Sequence, residues 1–223
     1  VAARKEPVIW MRPEQAPVGR PAERSRAEIT TAAVELADQE GIEAVSMRRV
    51  AAALGTGAAS LYRYVATRDD LLDLMTDSTA AAYDLPAPSG DWQADLLEIA
   101  RQAQRIMRRH PWLPTLVITR PALGPNGIDL LEHLLDVLAD HPAEPARKLE
   151  AFALLNALTA LSVQNESAAT NPGAQRQSVY LRHVATAGTH PRIAALLAAT
   201  SPDEAPDDQF ATVLTRALTG VLG

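Results

Sequence analysis

Two short helical patterns, Met47–Leu54 and Ala58–Val65, are separated by only Gly55-Thr56-Gly57. That spacing constrains the chain more than any other feature. A helix-turn-helix needs two short helices at a steep angle joined by three or four residues, and these segments supply that spacing. Gly55 suits a left-handed backbone position because it has no Cβ to clash. Ala51 is small enough to let the two helices cross closely. Met47, Val50, Ala51 and Leu54 form one apolar face, and Leu61 and Val65, four residues apart, form another. Upstream, Ser25 and Glu28 are spaced as a capping box, and Ile29, Ala33 and Leu36 follow at helical intervals until Gly41. This predicts a first helix over about residues 26–40, with Ile29 and Leu36 closing a small core against Leu54, Leu61 and Val65. The bland alternative is a generic helical hairpin.

The rest of the chain repeats the helical period. Residues 1–23 carry Pro7, Pro13, Pro17 and Pro21 and are expected to form a flexible tail. Thr67 and Asp70 make a second capping box, opening a helix to about Tyr83. Pro86, Pro88 and Gly90 break it. Further helices are expected over 92–109, 127–140, 146–166, 173–187, 191–200 and from Phe210 to the end, with a short segment between Pro111 and Pro121. Neither a strand run nor a fixed-period repeat occurs. The expected class is all-α: a tail at 1–23, a three-helix unit at 24–72 and a larger helical domain at 73–223.

Charge is distributed unevenly. The net charge is −6, yet residues 1–72 hold 10 basic and 10 acidic side chains. All the excess negative charge is therefore C-terminal. Residues 44–68 contain Arg48, Arg49, Arg63 and Arg68 and no acid. A positive patch on a neutral module is a plausible footprint for a polyanion. Four ordinary solvated arginines are the other reading. The chain has no Cys, which excludes disulfides, thiolate catalysis and Cys-ligated metal. Apolar runs fall short of the ~20 residues that span a bilayer, and no secretory pattern opens the chain. A cytoplasmic location and no membrane partner are the resulting expectations.

A helix-turn-helix presents its second helix to the DNA major groove by its N-terminus. The outward candidates are Gly57, Ala58, Ala59, Ser60, Tyr62 and Arg63. Arg63 carries a forked donor that suits either guanine or phosphate. Tyr62 and Tyr64 can set hydroxyls against phosphate. Thr67 and Arg68 open the next helix, where backbone N–H groups favour a phosphate, and Arg48 and Arg49 can touch the flanking backbone. Such phosphate contacts set register and affinity more than sequence choice.

Residues 24–72 resemble the N-terminal domain of TetR-family transcriptional repressors. The resemblance is carried by Ile29…Ala33…Leu36, Gly41, Ser46-Met47-Arg48-Arg49-Val50-Ala51, Leu54-Gly55, Ser60-Leu61-Tyr62-Arg63-Tyr64-Val65 and Arg68-Asp69-Asp70-Leu71-Leu72. Two alanines stand where polar groove readers are common in that family. The remainder is similar to the ligand-binding, dimerising domain of the tetracycline-repressor-like branch, on His110-Pro111-Trp112-Leu113-Pro114 and Arg120-Pro121-Ala122-Leu123-Gly124-Pro125-Asn126-Gly127. The resemblance implies an all-helical homodimer with an effector pocket in each subunit. It also implies a four-helix interface built from the segments near 146–168 and 208–222. Leu155, Leu158, Leu161, Leu214, Leu218 and Val221 are the interface candidates, with a core role left open.

The implied function is a repressor that binds an inverted-repeat operator and is released by a partly apolar small molecule. Candidate effector contacts are Tyr83, Met107, Trp112, Phe152, Asn156 and Gln164. Asn156 and Gln164 interrupt a long apolar helix and need partners if buried. His110, His133 and His141 lack the paired spacing of a metal site, so no metal and no cofactor is expected. Some tetracycline repressors take magnesium with their drug through a histidine, and the resemblance leaves open whether magnesium accompanies this effector. The rivals are a DNA-binding activator or effector-independent regulator, a C-terminal body that only dimerises, and a helical enzyme. The last finds no support in any nucleophile, phosphate-loop or dinucleotide motif.

Overall fold

Side-chain caps decide where the first helices begin. In the computed structural model, which describes residues 8–14, 24–120, 123–169, 172–199 and 208–223, Ser25 and Glu28 form the capping box of α1 (Arg26–Glu40). The Ser46 side chain accepts the Arg49 N–H to open α2 (Met47–Ala53). Thr67 and Asp70 form the second box, at the start of α4 (Arg68–Ala80). Each cap satisfies a backbone donor that the helix itself leaves open. Gly41 ends α1 at φ 84°.

Between α2 and α4 the expected helix over Ala58–Val65 is shorter than its pattern suggests. α3 covers only Ala58–Leu61. The chain then turns, with the N–H groups of Tyr64 and Val65 both donating to the Leu61 carbonyl. The two closures on one carbonyl turn Tyr64 and Val65 inward, and both are buried.

α4 runs without a break through residues 72 and 73, where the sequence pattern places a domain boundary. Beyond it lie α5 (Trp92–Arg109), α6 (Leu113–Thr119), α7 (Pro125–Val137), α8 (Pro145–Ala169), α9 (Pro172–Thr186), α10 (Pro191–Ala199) and α11 (Gln209–Leu222). Proline opens α7, α8, α9 and α10, where its missing N–H leaves no helical bond unmade. Among the described residues every regular element is helical, and no helix is long and apolar enough to cross a membrane.

The chain divides into two compact units, Val1–His141 and Pro142–Gly223. In the first, Ile29, Ala33 and Leu36 of α1 share a core with Val50, Leu61, Val65, Leu71 and Met75. Leu54 contributes less than expected, being half-buried; its carbonyl accepts from Arg24. The body of this unit is centred on Leu96, Ile99, Ala103 and Ile106 of α5 with Leu130 and Leu134 of α7. Each fully buried Leu or Ile contributes about 1.5–3 kcal/mol. The Gln102 side chain exchanges two hydrogen bonds with the Asp84 backbone, at 2.8 and 2.9 Å, which pins the link after α4 onto α5.

Part of the stretch expected to be a tail is structured. Residues Ile9–Met11 form a 3-10 turn, and Ile9 is buried. The Trp10 indole donates to the Leu123 carbonyl at 3.0 Å. Arg12 pairs with Asp70 at the start of α4. Arg26 then gathers the carbonyls of Ile9, Arg12, Pro13 and Tyr64 around one guanidinium. The rest of 1–23 lies outside the described residues.

In the second unit, α8 and α11 pack along each other. Among the described residues, Ala151, Leu155, Thr159, Ala160 and Val163 of α8 are buried with Leu214, Leu218 and Leu222 of α11. The Thr159 hydroxyl is satisfied within its own helix by the Leu155 carbonyl. α9 and α10 form a neighbouring pair, and α9 also touches α8.

Candidate nucleic-acid interface

The turn between α2 and α3 is closed by backbone geometry. Gly55 adopts φ 66°, a left-handed position that a Cβ would strain. The Thr56 N–H reaches back to the Ala51 carbonyl at 2.9 Å. Gly57 starts α3 in extended conformation, and the Ser60 N–H closes on the Gly57 carbonyl at 2.9 Å. These bonds fix α3 against α2 with no help from side-chain caps.

The outer face follows from helical spacing. Gly57, Ala59, Tyr62 and Arg63 are exposed, and Ala58 and Ser60 are half-buried. Tyr62 is 53% exposed. The Arg63 guanidinium lies 5.9 Å from the centre of the Tyr64 ring, a cation–π contact. Tyr64 itself departs from the expectation that it offers a hydroxyl outward: it is 6% exposed. Its part is to seal the unit and support Arg63.

The four arginines are not equivalent. All four are exposed, and they differ in what they touch. Arg49 reaches both oxygens of Glu40 at 2.6 Å. Arg68 donates to the carbonyls of Val45 and Ile42 at 3.0 and 3.1 Å, which ties the start of α4 to the segment before α2. The Thr67 hydroxyl accepts the Asp70 N–H. The two acids that follow the patch are each matched to a cation: Asp69 to Arg120 at 3.1 Å and Asp70 to Arg12. On the C-terminal side the neighbouring carboxylates are therefore met by arginines outside the patch, whereas within it Arg49 is paired with Glu40.

α4 carries this unit into the body through two links. Arg120, just past α6, pairs with Asp69 and with Asp73, the latter at 3.2 Å. Asp77, buried in α4, accepts the Gly127 N–H at 2.9 Å and the Asn126 side chain at 2.9 Å. Asp77 thus caps the first turn of α7, where negative charge also meets the helix dipole favourably. Neither link is visible in the sequence, because the partners are about 50 residues apart and no local motif joins them.

The expected effector residues scatter. Met107 is 2% exposed within α5 and Trp112 4% exposed ahead of α6. The Trp112 indole N–H is already committed to Asp38 of α1, at 2.7 Å, so Trp112 departs from the expectation of a free ligand contact. Tyr83 is half-buried in the first unit, and burial raises its phenol above the ordinary value. Phe152, Asn156 and Gln164 are half-buried along α8 in the second unit. The Asn156 amide donates to the Phe152 carbonyl at 3.0 Å. A cavity of about 440 Å³ lies elsewhere, lined by Val8, Ile9, Trp10, Asp73, Thr119, Arg120 and Leu123. Among the described residues no group of three or more His, Cys, Asp or Glu side chains is placed to hold a metal ion.

The interface candidates also divide. Leu155, Leu214 and Leu218 are 1–2% exposed, so they are packed inside their own unit. Leu158 and Val221 are half-buried. Leu161 stands 48% exposed.

Comparison with known proteins agrees with this architecture. The family model described as bacterial regulatory proteins, tetR family, matches residues 29–75. That described as tetracyclin repressor-like, C-terminal domain, matches residues 85–223. The chain is 48% identical over 112 residues to the HTH-type transcriptional repressor DrrR1 of Streptomyces coeruleorubidus, a match covering 49% of this chain and 42% of that protein. It is 36% identical over 160 residues to an HTH-type transcriptional regulator of Saccharopolyspora erythraea, covering 71% of this chain and 67% of that one. Among solved structures, apo ActR from Streptomyces coelicolor superimposes with a TM-score of 0.77 at 28% identity, over 91% of this chain and 100% of ActR. ActR in complex with actinorhodin gives 0.74 at 30% identity, over 90% and 98%.

Proposed function

Because the chain belongs to the TetR family of bacterial regulators, we propose that it is a homodimeric repressor that binds an inverted-repeat operator and is released by a small molecule. The observation that carries this reading is the outward pair Tyr62 and Arg63, set on a Gly55-closed turn and flanked by exposed Arg48. In this reading the α3 face enters the major groove. Gly57, Ala58, Ala59 and Ser60 approach base edges, and Arg63 is the base reader. Arg48, with Arg49 and Arg68 after partial release from their own partners, and the backbone at Thr67 hold phosphates. A two-fold dimer sets its two reading helices about 34 Å apart, one turn of DNA. An operator with two half-sites at that interval follows.

Leu161 on α8, with Leu158 beside it and Val221 on α11, supplies dimer contacts from apolar surface that the single chain leaves uncovered. The effector is a partly apolar small molecule, a reading supported by the complex of the similar ActR with actinorhodin. Its candidate site lies either at Tyr83 in the first unit or at Phe152, Asn156 and Gln164 in the second. Effector binding acts on α4, which Arg120 and Asp77 tie to α6 and α7. A hundredfold loss of operator affinity requires about 2.7 kcal/mol of coupling, within reach if a few phosphates are released. The test is binding-site selection with the purified protein, followed by competition of actinorhodin against the selected duplex. Enrichment of a two-fold symmetric site supports the reading, and a pool that stays random at low salt overturns it.

A further inference from the structure

The body reaches the reading unit at a second point besides α4. Asp38 sits near the C-terminal end of α1, and its carboxylate receives two partners from the corner between α5 and α6. The Trp112 indole donates to Oδ1 at 2.7 Å. The His110 Nδ1 lies 2.9 Å from Oδ1 and 3.0 Å from Oδ2. The His110 and Trp112 rings tilt against each other with centroids 5.7 Å apart, so the corner presents both groups as one piece. The Asp38 side chain is 29% exposed and Trp112 is 4% exposed. A buried indole N–H without an acceptor is costly, and a carboxylate acceptor makes a shorter, stronger bond than a neutral one.

The mechanical consequence follows from where α1 lies. α1 packs on both α2 and α4. A body joined to the reading unit only through α4 leaves that unit free to pivot about the α4 axis. A direct attachment on a different helix, beside the indirect one that runs from Arg26 through the Ile9–Pro13 segment to Leu123, restrains the pivot. Asp38 is no part of the outward face formed by Ala59, Tyr62 and Arg63, so it acts on DNA only through orientation.

We infer that Asp38 is a positioning residue for operator binding, holding α1 to the α5–α6 corner through Trp112 and His110 so that α3 faces the groove at a fixed tilt. This rests on the reading of the chain as an operator-binding regulator. The test measures affinity for the duplex won in binding-site selection, with full-length Asp38→Ala, Asp38→Asn, Trp112→Phe and the double variant Asp38→Ala/Trp112→Phe. Melting temperature is followed in parallel. Asp38→Ala and Trp112→Phe are each expected to weaken binding by about tenfold, a usual size for coupling between sites. The double variant falls no further than Asp38→Ala alone, because Trp112→Phe removes one of the two contacts that Asp38→Ala already removes. Asp38→Asn keeps an oxygen for the indole and stays within about twofold of the parent.

Equal affinity of folded Asp38→Ala and parent protein overturns the inference and leaves the operator reading standing. Additive losses in the double variant also overturn it, since the two residues then act separately. Losses that merely track melting temperature, with no rescue by Asp38→Asn, reduce Asp38 to a stabilising contact. If Asp38→Ala melts below the assay temperature, Trp112→Phe and Asp38→Asn decide the matter alone. A parent protein that selects no duplex removes the operator reading and this inference with it.

Discussion

Asp77 in the last turn of α4 accepts the backbone N–H of Gly127 in the first turn of α7, at 2.9 Å. A buried carboxylate therefore does for α7 what Ser25 and Thr67 do for α1 and α4, but from another helix. Asp77→Ala strands the N–H of Gly127 and leaves the Asn126 amide only the carbonyl of residue 77, at 3.3 Å. It is expected to lower stability by about 2–3 kcal/mol, a fall in melting temperature of roughly 5–10 °C. Thermal unfolding followed by circular dichroism measures it. A variant melting with the parent means that water replaces the carboxylate without loss.

Gly124 is fixed by its neighbours. Its φ of −91° suits any residue, but a Cβ there would stand 2.5 Å from Asp77 Oδ1 and from Trp10 Cζ2. Gly124→Ala is expected to cost about 1–3 kcal/mol through overpacking. Gly57→Ala meets nothing within 4 Å and is expected to leave stability within about 0.5 kcal/mol. Parallel denaturant curves compare the two, and equal shifts would contradict the distinction.

The arginines of the patch separate by partner. Arg63→Ala is expected to change which duplex is preferred. Arg48→Ala weakens all duplexes and lowers the salt slope by about 0.9 for each phosphate left without its cation. Arg68→Ala loses two bonds to the backbone of the segment before α2 and is expected to lower melting temperature as well. Salt-dependent titrations on selected and scrambled duplexes check all three. Loss of selectivity with Arg48→Ala would reverse the assignments.

Leu161 and Leu218 should fail differently. Leu161→Asp places a charge on exposed surface and is expected to yield folded monomer in sedimentation. Leu218→Asp buries an unpaired charge between α11 and α8 and is expected to lose at least about 3 kcal/mol of fold stability. A folded Leu161→Asp dimer would take that residue out of the interface.

Tyr83 supplies a pH test. Burial raises its phenol pKa in the folded chain, so above the unfolded value of about 10 the folded state holds the proton more tightly. Stability is then full below about pH 10 and declines as pH rises beyond it. Tyr83→Phe should flatten that decline between about pH 9 and pH 11 in urea titrations. Parallel curves for parent and variant would assign the decline to other groups.

Local chemistry made much of the fold legible. Ser25 with Glu28, and Thr67 with Asp70, announce helix starts within three residues, and both boxes form as the spacing requires. Gly55 announces the turn because only a residue without Cβ is at ease at its φ. The end of α3 was not legible, because Leu61 and Val65 keep helical spacing whether the residues between them are helix or turn. Burial of Tyr64, Trp112, Leu155, Leu214 and Leu218 was equally hidden, since an apolar residue at a helical interval faces the interior or a partner with the same pattern. The links from Asp38, Asp77 and Arg120 join residues far apart in sequence, and only the folded chain brings them together.

Arg26 grips Ile9, Arg12, Pro13 and Tyr64 solely by their main-chain oxygens. Such a grip is blind to which amino acids stand at those four places. Arg26 therefore imposes no side chain there, whereas lysine at 26 would bring one ammonium where a planar fork is needed. Selection on the fastening of this segment is therefore divided: position 26 answers for the main-chain grip, and Ile9, Trp10 and Arg12 answer for the side-chain anchors beside it.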